Sequence, residues 1–361
     1  MSPSTRRSTA IRSAVLLLLA WSSSALSAQP VTPDSILGPI PLRAISPLRL
    51  LFFQLTPSSA ETLGRGHLNV GIDISESNVL HTPSRSPSEF DAELNLEITR
   101  VNLRLNFGVS QAVDLGIELP IYRFHTGFLD DHIRNVEDFF GDLKERRVFE
   151  REDPMTALFG FRLKHNGEVF FENRGPRSGL GDLALTVKRR MHPQKGRRPA
   201  LSLRAALKLP SGDERYAMSS GATDLAVGIA GDYQWKHWAV YGNLNGTYPF
   251  GDPFESVGLL SPPMLSGHLG GAYRPGDRWA YHFQLAGTSE PFEAARGRQP
   301  STFPSQPFEN FGGSIIEGIL GASRQLNRKT EIYLALAEDI QNTNSAAADV
   351  TLLVSFGLRG W

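Results

Sequence analysis

Apolar and polar side chains alternate along many segments of this chain. In the first clear case, Leu68, Val70 and Ile72 share one face of an extended strand, and Asn69 and Asp73 share the other. Because successive side chains of a β-strand point to opposite sides, such a segment has one apolar and one polar face. The pattern recurs in about twelve segments, which predicts an all-β fold of antiparallel strands.

Short and long connections alternate between these segments. The short turns lie near residues 110–111, 192–199, 234–236, 275–277 and 327–328. The long loops cover residues 76–90, 125–179, 211–222, 251–263, 289–312 and 341–348. Outer-membrane barrels combine short periplasmic turns with longer outside loops, and an even strand number lets the last strand pair with the first. We therefore predict an antiparallel transmembrane β-barrel of about twelve strands over residues 66–361, with both termini on the periplasmic side.

A soluble β-sandwich is the alternative, since it also alternates and has frequent turns. Two features beyond the rhythm of the loops favour the barrel. Trp238, Tyr273 and Trp279 lie near strand ends, where they can form interfacial girdles. The chain ends on Phe356 and Trp361, an aromatic finish of the kind that barrel-insertion machinery reads. The expected partners are therefore outer-membrane lipid and that machinery.

The N-terminus has the pattern of an export signal. Arg6 and Arg7 are followed by an apolar run over residues 14–21 and by small residues at 25–27. The apolar run is much shorter than the roughly 20 residues that a transmembrane helix needs. We predict that residues 1–28 are a cleaved signal peptide, and that the mature protein is located in the outer membrane of a Gram-negative bacterium.

Two further segments stand apart from the strands. Residues 29–65 are rich in Pro and Leu, and the apolar stretch 48–55 is too continuous for a one-sided strand, which predicts a periplasmic or plug segment packed against another part of the protein. The long loop 125–179 contains a helical apolar pattern over 128–143 and an Asn-Gly hairpin signal within 158–171. We expect this loop to cap the barrel mouth or to enter the interior.

The composition excludes several classes of function. Lys plus Arg total 37 and Asp plus Glu total 37, so no excess positive charge favours a nucleic-acid partner. The chain has no cysteine, which excludes disulfides and thiolate metal sites. We expect no cofactor.

The polar faces of the predicted strands contain charges of both signs. The phase of the alternation changes near Arg100, which predicts a β-bulge there. These charged residues either line a path for a small polar or amphipathic solute or pair across strands and fill a narrow interior, and both interpretations stay open. The candidates are Glu93, Glu97, Arg104, Lys188, Arg204, Lys208 and Glu317.

Catalytic and metal signatures are weak. His125, Asp130, Asp131 and His132 could be drawn as ligands, but their spacing fits a solvated helix start better. Ser266 and His268 share a strand face, which leaves an outer-membrane lipid hydrolase as a remote hypothesis. Because no acidic or amide partner for the histidine can be located, we predict no catalytic residue and no metal site.

Three stretches resemble a known family. Residues 38–57, 107–120 and 181–213, the last ending in Lys208-Leu-Pro-Ser-Gly-Asp213, resemble an uncharacterised proteobacterial outer-membrane family of the domain-of-unknown-function type. The second and third stretches also resemble the wider group of barrel proteins named after meta-pathway phenol degradation. The resemblance implies a barrel with a transport role and carries over no catalytic residue.

Two hypotheses of function follow. The first is a passive channel or facilitator for small molecules, and the second is a non-conducting barrel with a structural or surface role. A plain open pore is not expected, because the helical pattern at 128–143 departs from the simplest members of the wider barrel group.

Overall fold

The computed structural model describes residues 38–81, 90–127, 129, 159–165, 167–255, 259–294, 314–342, 348 and 350–359. The predicted signal peptide and almost all of the predicted helix at 128–143 lie outside these residues. Within the described ranges, no helix is both long and apolar enough to span a membrane.

Strands are the main secondary structure of the described part of the chain. In chain order they are β1 (Leu68–His81), β2 (Phe90–Gly108), β3 (Val113–His125), β4 (Gly160–His165), β5 (Glu168–Asn173), β6 (Arg177–Leu180), β7 (Leu183–His192), β8 (Ala200–Leu209), β9 (Thr223–Trp235), β10 (Trp238–Phe250), β11 (Leu259–Leu260), β12 (Met264–Tyr273), β13 (Trp279–Thr288), β14 (Glu293–Ala294), β15 (Ile315–Gln325), β16 (Thr330–Asn342) and β17 (Val350–Arg359). Two short 3-10 helices, Arg49–Leu51 and Glu214–Tyr216, accompany them.

Twelve of these strands form one closed antiparallel barrel. The order around the wall is β1, β2, β3, β7, β8, β9, β10, β12, β13, β15, β16 and β17. The last strand returns to the first, with Asn69 opposite Arg359 and Asn78 opposite Val350. Closure leaves no unpaired edge in the wall. The predicted all-β barrel of about twelve strands is confirmed, and the β-sandwich alternative is wrong.

The two faces of the wall have the polarity of a membrane barrel. Leu269 on the outside is 60% exposed, whereas Asp224 on the inside is 0% exposed. Exposed leucines with buried carboxylates reverse the arrangement of a soluble protein, and lipid outside the wall accounts for the reversal. Trp235, Trp238 and Trp279 are exposed next to the short turns, as expected for an interfacial girdle.

The connections alternate in length as predicted. Short turns of residues 109–112, 193–199, 236–237, 274–278 and 326–329 lie at one end of the barrel, which we call the short-turn end. The remaining connections between wall strands lie at the opposite end of the barrel, which we call the long-loop end. The hairpin predicted within 158–171 is confirmed as β4 and β5, with Gly167 between them at a φ of 81°. A positive φ is readily adopted only by glycine, so the turn depends on this residue.

The predicted bulge near Arg100 is wrong. The pairing of β2 with β1 and β3 runs without a register shift through this residue. Leu94 and Ile98 therefore face the interior with Asn102, while Glu97 faces outward with Leu103. The physical reason is that the interior at the long-loop end is apolar, so an apolar face there does not mark lipid.

Residues 38–63, which we call the internal segment, lie inside the barrel. Phe53 donates its backbone N–H to the Asp224 carboxylate at 2.8 Å, and Ala60 donates to Asp232 at 2.7 Å. Both carboxylates belong to β9 and point inward. The apolar stretch expected to pack against another part of the protein therefore packs against the inner wall.

The course of the internal segment reverses within the barrel. Gly38 lies near the short-turn end, and Ile45 accepts a hydrogen bond from the Ala348 N–H at the long-loop end. The chain then returns along β9 to the short-turn end, where β1 begins. The internal segment consequently occupies the interior at both the long-loop end and the short-turn end.

Candidate functional site

The barrel interior brings together most of the charged residues singled out from the sequence. By strand register, Arg104, Lys188, Arg204, Lys208 and Glu317 face inward. Glu93 and Glu97 face outward, contrary to the prediction, because β2 has no bulge. Glu93 instead pairs with Arg162 at 3.0 Å and with Lys164 at 3.2 Å, both on β4.

Lys208 joins three elements at the long-loop end. Its ammonium lies 3.0 Å from Asp182 and 3.0 Å from Asp224, and it donates to the Leu51 carbonyl at 2.9 Å. One buried cation thus compensates two buried carboxylates and holds the internal segment against the wall.

Arg204 and Lys188 contact the returning arm of the internal segment. Arg204 donates to the Asn243 side-chain oxygen at 2.7 Å and to the Thr56 carbonyl. Lys188 lies 3.5 Å from the Asp114 carboxylate and donates to the Ser59 carbonyl at 3.3 Å. These inward cations therefore bind backbone carbonyls of the segment as well as wall residues.

Glu317 and Arg104 lie at other places on the inner wall. Glu317 is buried on β15 and accepts a hydrogen bond from the Ile45 backbone N–H. Arg104 pairs with Asp73 at 2.6 Å. The two residues therefore serve different contacts, one with the internal segment and one within the wall.

The interior has two zones. At the long-loop end, apolar side chains of the internal segment and of the wall form a buried core. It includes Ile45, Leu48, Leu51, Leu94, Leu96, Ile98, Phe124 and Phe161. At the short-turn end there is a cavity of about 1050 Å³. Its charged lining consists of Glu61, Arg104, Asp114, Glu118, Lys188, Arg190, Arg204, Asp232, Lys236, Arg328, Lys329 and Glu331.

Several of these inward residues were not among the charged candidates chosen from the sequence. Asp73, Asp224 and Asp232 occur on the polar face of alternating segments, which is the signal that could have identified them. Arg190 and Glu61 form an ion pair between β7 and the internal segment. That pairing depends on the fold and has no local signal.

The histidine and serine of the hydrolase hypothesis do not form a catalytic pair in the described part of the chain. Both Ser266 and His268 are buried and face inward. Ser266 accepts a long hydrogen bond of 3.5 Å from Asn245, and no hydrogen bond joins it to His268. Side chains two residues apart on one strand are about 7 Å apart, too far for proton transfer.

Comparisons with known proteins agree with the barrel. The chain is similar to the COG4313 outer membrane channel from Pseudomonas putida F1, with a TM-score of 0.57, 15% identity, and coverage of 85% of this chain and 100% of that chain. The NanC porin gives a TM-score of 0.43, 8% identity, and coverage of 81% of this chain and 98% of that chain. At this level of identity the likeness to the first structure shows a shared fold.

No curated protein matches the chain. A family model does, over residues 14–359, and its description is "Protein of unknown function (DUF3187)". The match extends over nearly the whole sequence, including the internal segment and all twelve wall strands. The chain therefore belongs to the DUF3187 family.

Proposed function

We propose that this protein is a passive outer-membrane channel for small molecules whose path is controlled by its own internal segment. The observation that carries the proposal is the cavity of about 1050 Å³ inside the short-turn end of the barrel. Small-molecule sites have volumes of about 300–1,000 Å³, so the cavity has room for such a solute. The fold shared with the COG4313 outer membrane channel supports this function.

The location of the internal segment determines how such a channel opens. In the described part of the interior, its apolar residues fill the long-loop end, and its backbone forms one wall of the cavity. A solute that crosses the barrel must displace part of this segment. The contacts to Asp224 and Asp232 are the points at which displacement begins.

The lining of the cavity indicates the kind of solute. Seven of the lining residues are Lys or Arg, among them Arg104, Lys188 and Arg204, and five are Asp or Glu, among them Asp114 and Asp232. A lining with both signs gives little preference between anions and cations. The proposed solute is therefore a small polar or amphipathic molecule, and the link to the meta-pathway phenol group stays a prediction.

The proposed setting is the outer membrane of a Gram-negative bacterium, reached with the signal peptide predicted for residues 1–28. The short-turn end, with the cavity, then lies on the periplasmic side, and the long loops lie on the outside of the cell. The predicted contacts with barrel-insertion machinery follow from the same setting.

Tethering the internal segment tests the proposal in planar bilayers. Ser59 donates a hydrogen bond to Asp232 of β9. The natural chain has no cysteine, so a Ser59→Cys, Asp232→Cys variant offers only these two thiols to a short bis-methanethiosulfonate reagent. We expect solute-dependent conductance before treatment, loss of conductance after bridging, and recovery on reduction.

The single variants Ser59→Cys and Asp232→Cys, treated with the same reagent, control for modification without bridging. Silence from well-folded protein in every state would contradict the channel and favour the non-conducting barrel. Conductance that bridging leaves unchanged would show that the path avoids the internal segment.

A further inference from the structure

Three side chains that can ligate a metal ion meet on the outer face of the wall at the long-loop end. Glu76 of β1, Glu97 of β2 and His125 of β3 have ligand atoms that all lie within 4.8 Å of one another. Glu97 is directly opposite His125, and Glu76 is directly opposite Thr99 of β2. Directly opposed residues share a face, so all four side chains project outward.

This cluster lies beyond the apolar band of the barrel. The outward residues of β2 change from Leu105, Leu103 and Val101 to Thr99 and Glu97 toward the long-loop end. β2 has 19 residues, whereas a tilted strand needs about 9–11 to cross the membrane. The end that contains Glu97 therefore extends past the hydrocarbon.

The hydrogen bonds of His125 present one ring nitrogen to the two carboxylates. Its Nδ1 is 3.0 Å from the Thr126 carbonyl oxygen, which can only accept, so Nδ1 is the donor. In the neutral ring Nε2 then has the lone pair. Nε2 lies 3.0 Å from Glu76 Oε1 and 2.7 Å from Thr99 Oγ1. A histidine that donates from one nitrogen to a backbone carbonyl and ligates through the other is the usual arrangement at metal sites.

The carboxylate of Glu97 is held in place by the start of the loop that follows β3. Leu129 donates its backbone N–H to Glu97 Oε1 at 2.7 Å, and Glu97 is only 1% exposed. A Cβ added at Gly127 would overlap the Glu97 carboxyl group. The loop therefore approaches so closely that any larger residue at position 127 would displace this carboxyl group. By contrast, the side chains of His125 and Glu76 are 12% and 15% exposed, which leaves a route for an ion.

We propose that Glu76, Glu97 and His125 bind one divalent transition-metal ion of the zinc class, with the Thr99 hydroxyl next to it. One imidazole nitrogen and two carboxylate oxygens suit Zn²⁺, which takes N and O ligands at about 2.0–2.2 Å. Ligand atoms around such an ion lie about 3.4 Å apart, so the most distant pair has to close by at most about 1.4 Å. The site is independent of whether the barrel conducts.

The ion would hold the first residues after β3 against the outer face of the wall. Thr126 and Leu129 contact two of the ligands directly through their backbone. Metal binding should therefore hold Thr126 and Leu129 more firmly against the wall. The competing interpretation is a protonated His125 paired with Glu76 alone.

Calorimetry with Zn²⁺ on chelator-treated, detergent-solubilised mature protein tests the site. We expect one tight site per chain, weakened by more than about 10-fold in His125→Gln and in Glu97→Gln. His67→Gln is the matched control, since His67 is exposed at the opposite end of the barrel and should leave this site unchanged. Heat-modifiable migration identifies the folded variants, and Glu76→Gln replaces any variant that fails to fold.

Co²⁺ provides a second measurement, because its visible absorption reports the ligand set. A spectrum with histidine ligation that disappears in His125→Gln and persists in His67→Gln supports the site. Zn²⁺ binding that is equal in the natural protein and both ligand variants would overturn it. Absence of tight binding to the natural protein would also overturn it and leave the His125–Glu76 ion pair as the explanation.

Discussion

Arg104 binds Asp73 through two parallel hydrogen bonds inside the barrel. Arg104 Nε lies 2.6 Å from Asp73 Oδ2, and Nη2 lies 2.7 Å from Oδ1. Ser355 of β17 donates to the same carboxylate at 2.7 Å. Asp73 therefore joins β1 to both of its neighbours at the place where the barrel closes. A bidentate pair of this kind, with two hydrogen bonds between arginine and a carboxylate, is among the stronger polar contacts in proteins.

Asp73→Ala should lower the free energy of unfolding by about 3 kcal/mol, because it leaves the Arg104 guanidinium in the interior without its carboxylate. The Arg104 side chain is 19% exposed toward the cavity, which keeps the loss at the lower end of the range for buried pairs. Denaturation in lipid vesicles measures the change. Asp213→Ala, at a solvent-exposed ion pair, is the control and should have a much smaller effect.

Leu103→Arg should cost about 2–4 kcal/mol, because the new charge faces lipid near the middle of the wall. Leu103 is opposite Ile72 and Leu119, and all three point outward. Asn69→Arg places the same side chain next to the cavity and should cost less. Equal destabilisation of the two variants would contradict the assignment of the faces.

Lys208→Met should destabilise the protein by about 3 kcal/mol, since it removes the cation between the Asp182 and Asp224 carboxylates. It should also raise the conductance in planar bilayers, because the Leu51 carbonyl loses its donor. Lys195→Met in an exposed short turn is the control. A stable Lys208→Met protein with unaltered conductance would argue against anchoring by this residue.

The β4–β5 hairpin should become sensitive to acid. The hydrogen bond from Arg174, assisted by Arg162, lowers the pKa of Glu172 below its ordinary value. A carboxyl with a lowered pKa stabilises the fold above its unfolded pKa of about 4.3, and this contribution is lost as the pH falls through the folded value. The hydrogen-exchange protection factors of the β4 and β5 amides, which correct for the intrinsic pH dependence of exchange, should fall as the pH falls through that window. In Glu172→Gln, the protection factors of the same amides should change little over this pH window, because the side chain at position 172 no longer titrates.

The wall of the barrel was predictable because one face of each segment had to meet lipid. The alternation of Leu68, Val70 and Ile72 with polar neighbours, and the rhythm of turns, were sufficient for the class and the approximate strand number. The phase of β2 was not predictable. Leu94 and Ile98 are apolar because they pack on the internal segment, so both faces of this strand are apolar in different halves.

The charged residues of the interior were predictable in part, because the alternation along a strand shows which side chains face inward. Arg204 and Lys208 alternate with leucines on β8, so their inward direction follows from local phase. Their partners Thr56 and Leu51 are about 150 residues away and have no local signal. The same holds for Glu76, Glu97 and His125, which come together only once three strands are in register.

The chain closes on itself through β1 and β17 in one register. Ser77 and Thr351 are directly opposed and their side-chain oxygens are 2.8 Å apart. In the cysteine-free chain, Ser77→Cys with Thr351→Cys should form an intramolecular disulfide, seen as faster migration of boiled, unreduced protein that reduction abolishes. Ser77→Cys with Ser355→Cys, displaced by about 13 Å along the strand, should not. A disulfide in the displaced pair and none in the opposed pair would contradict the account.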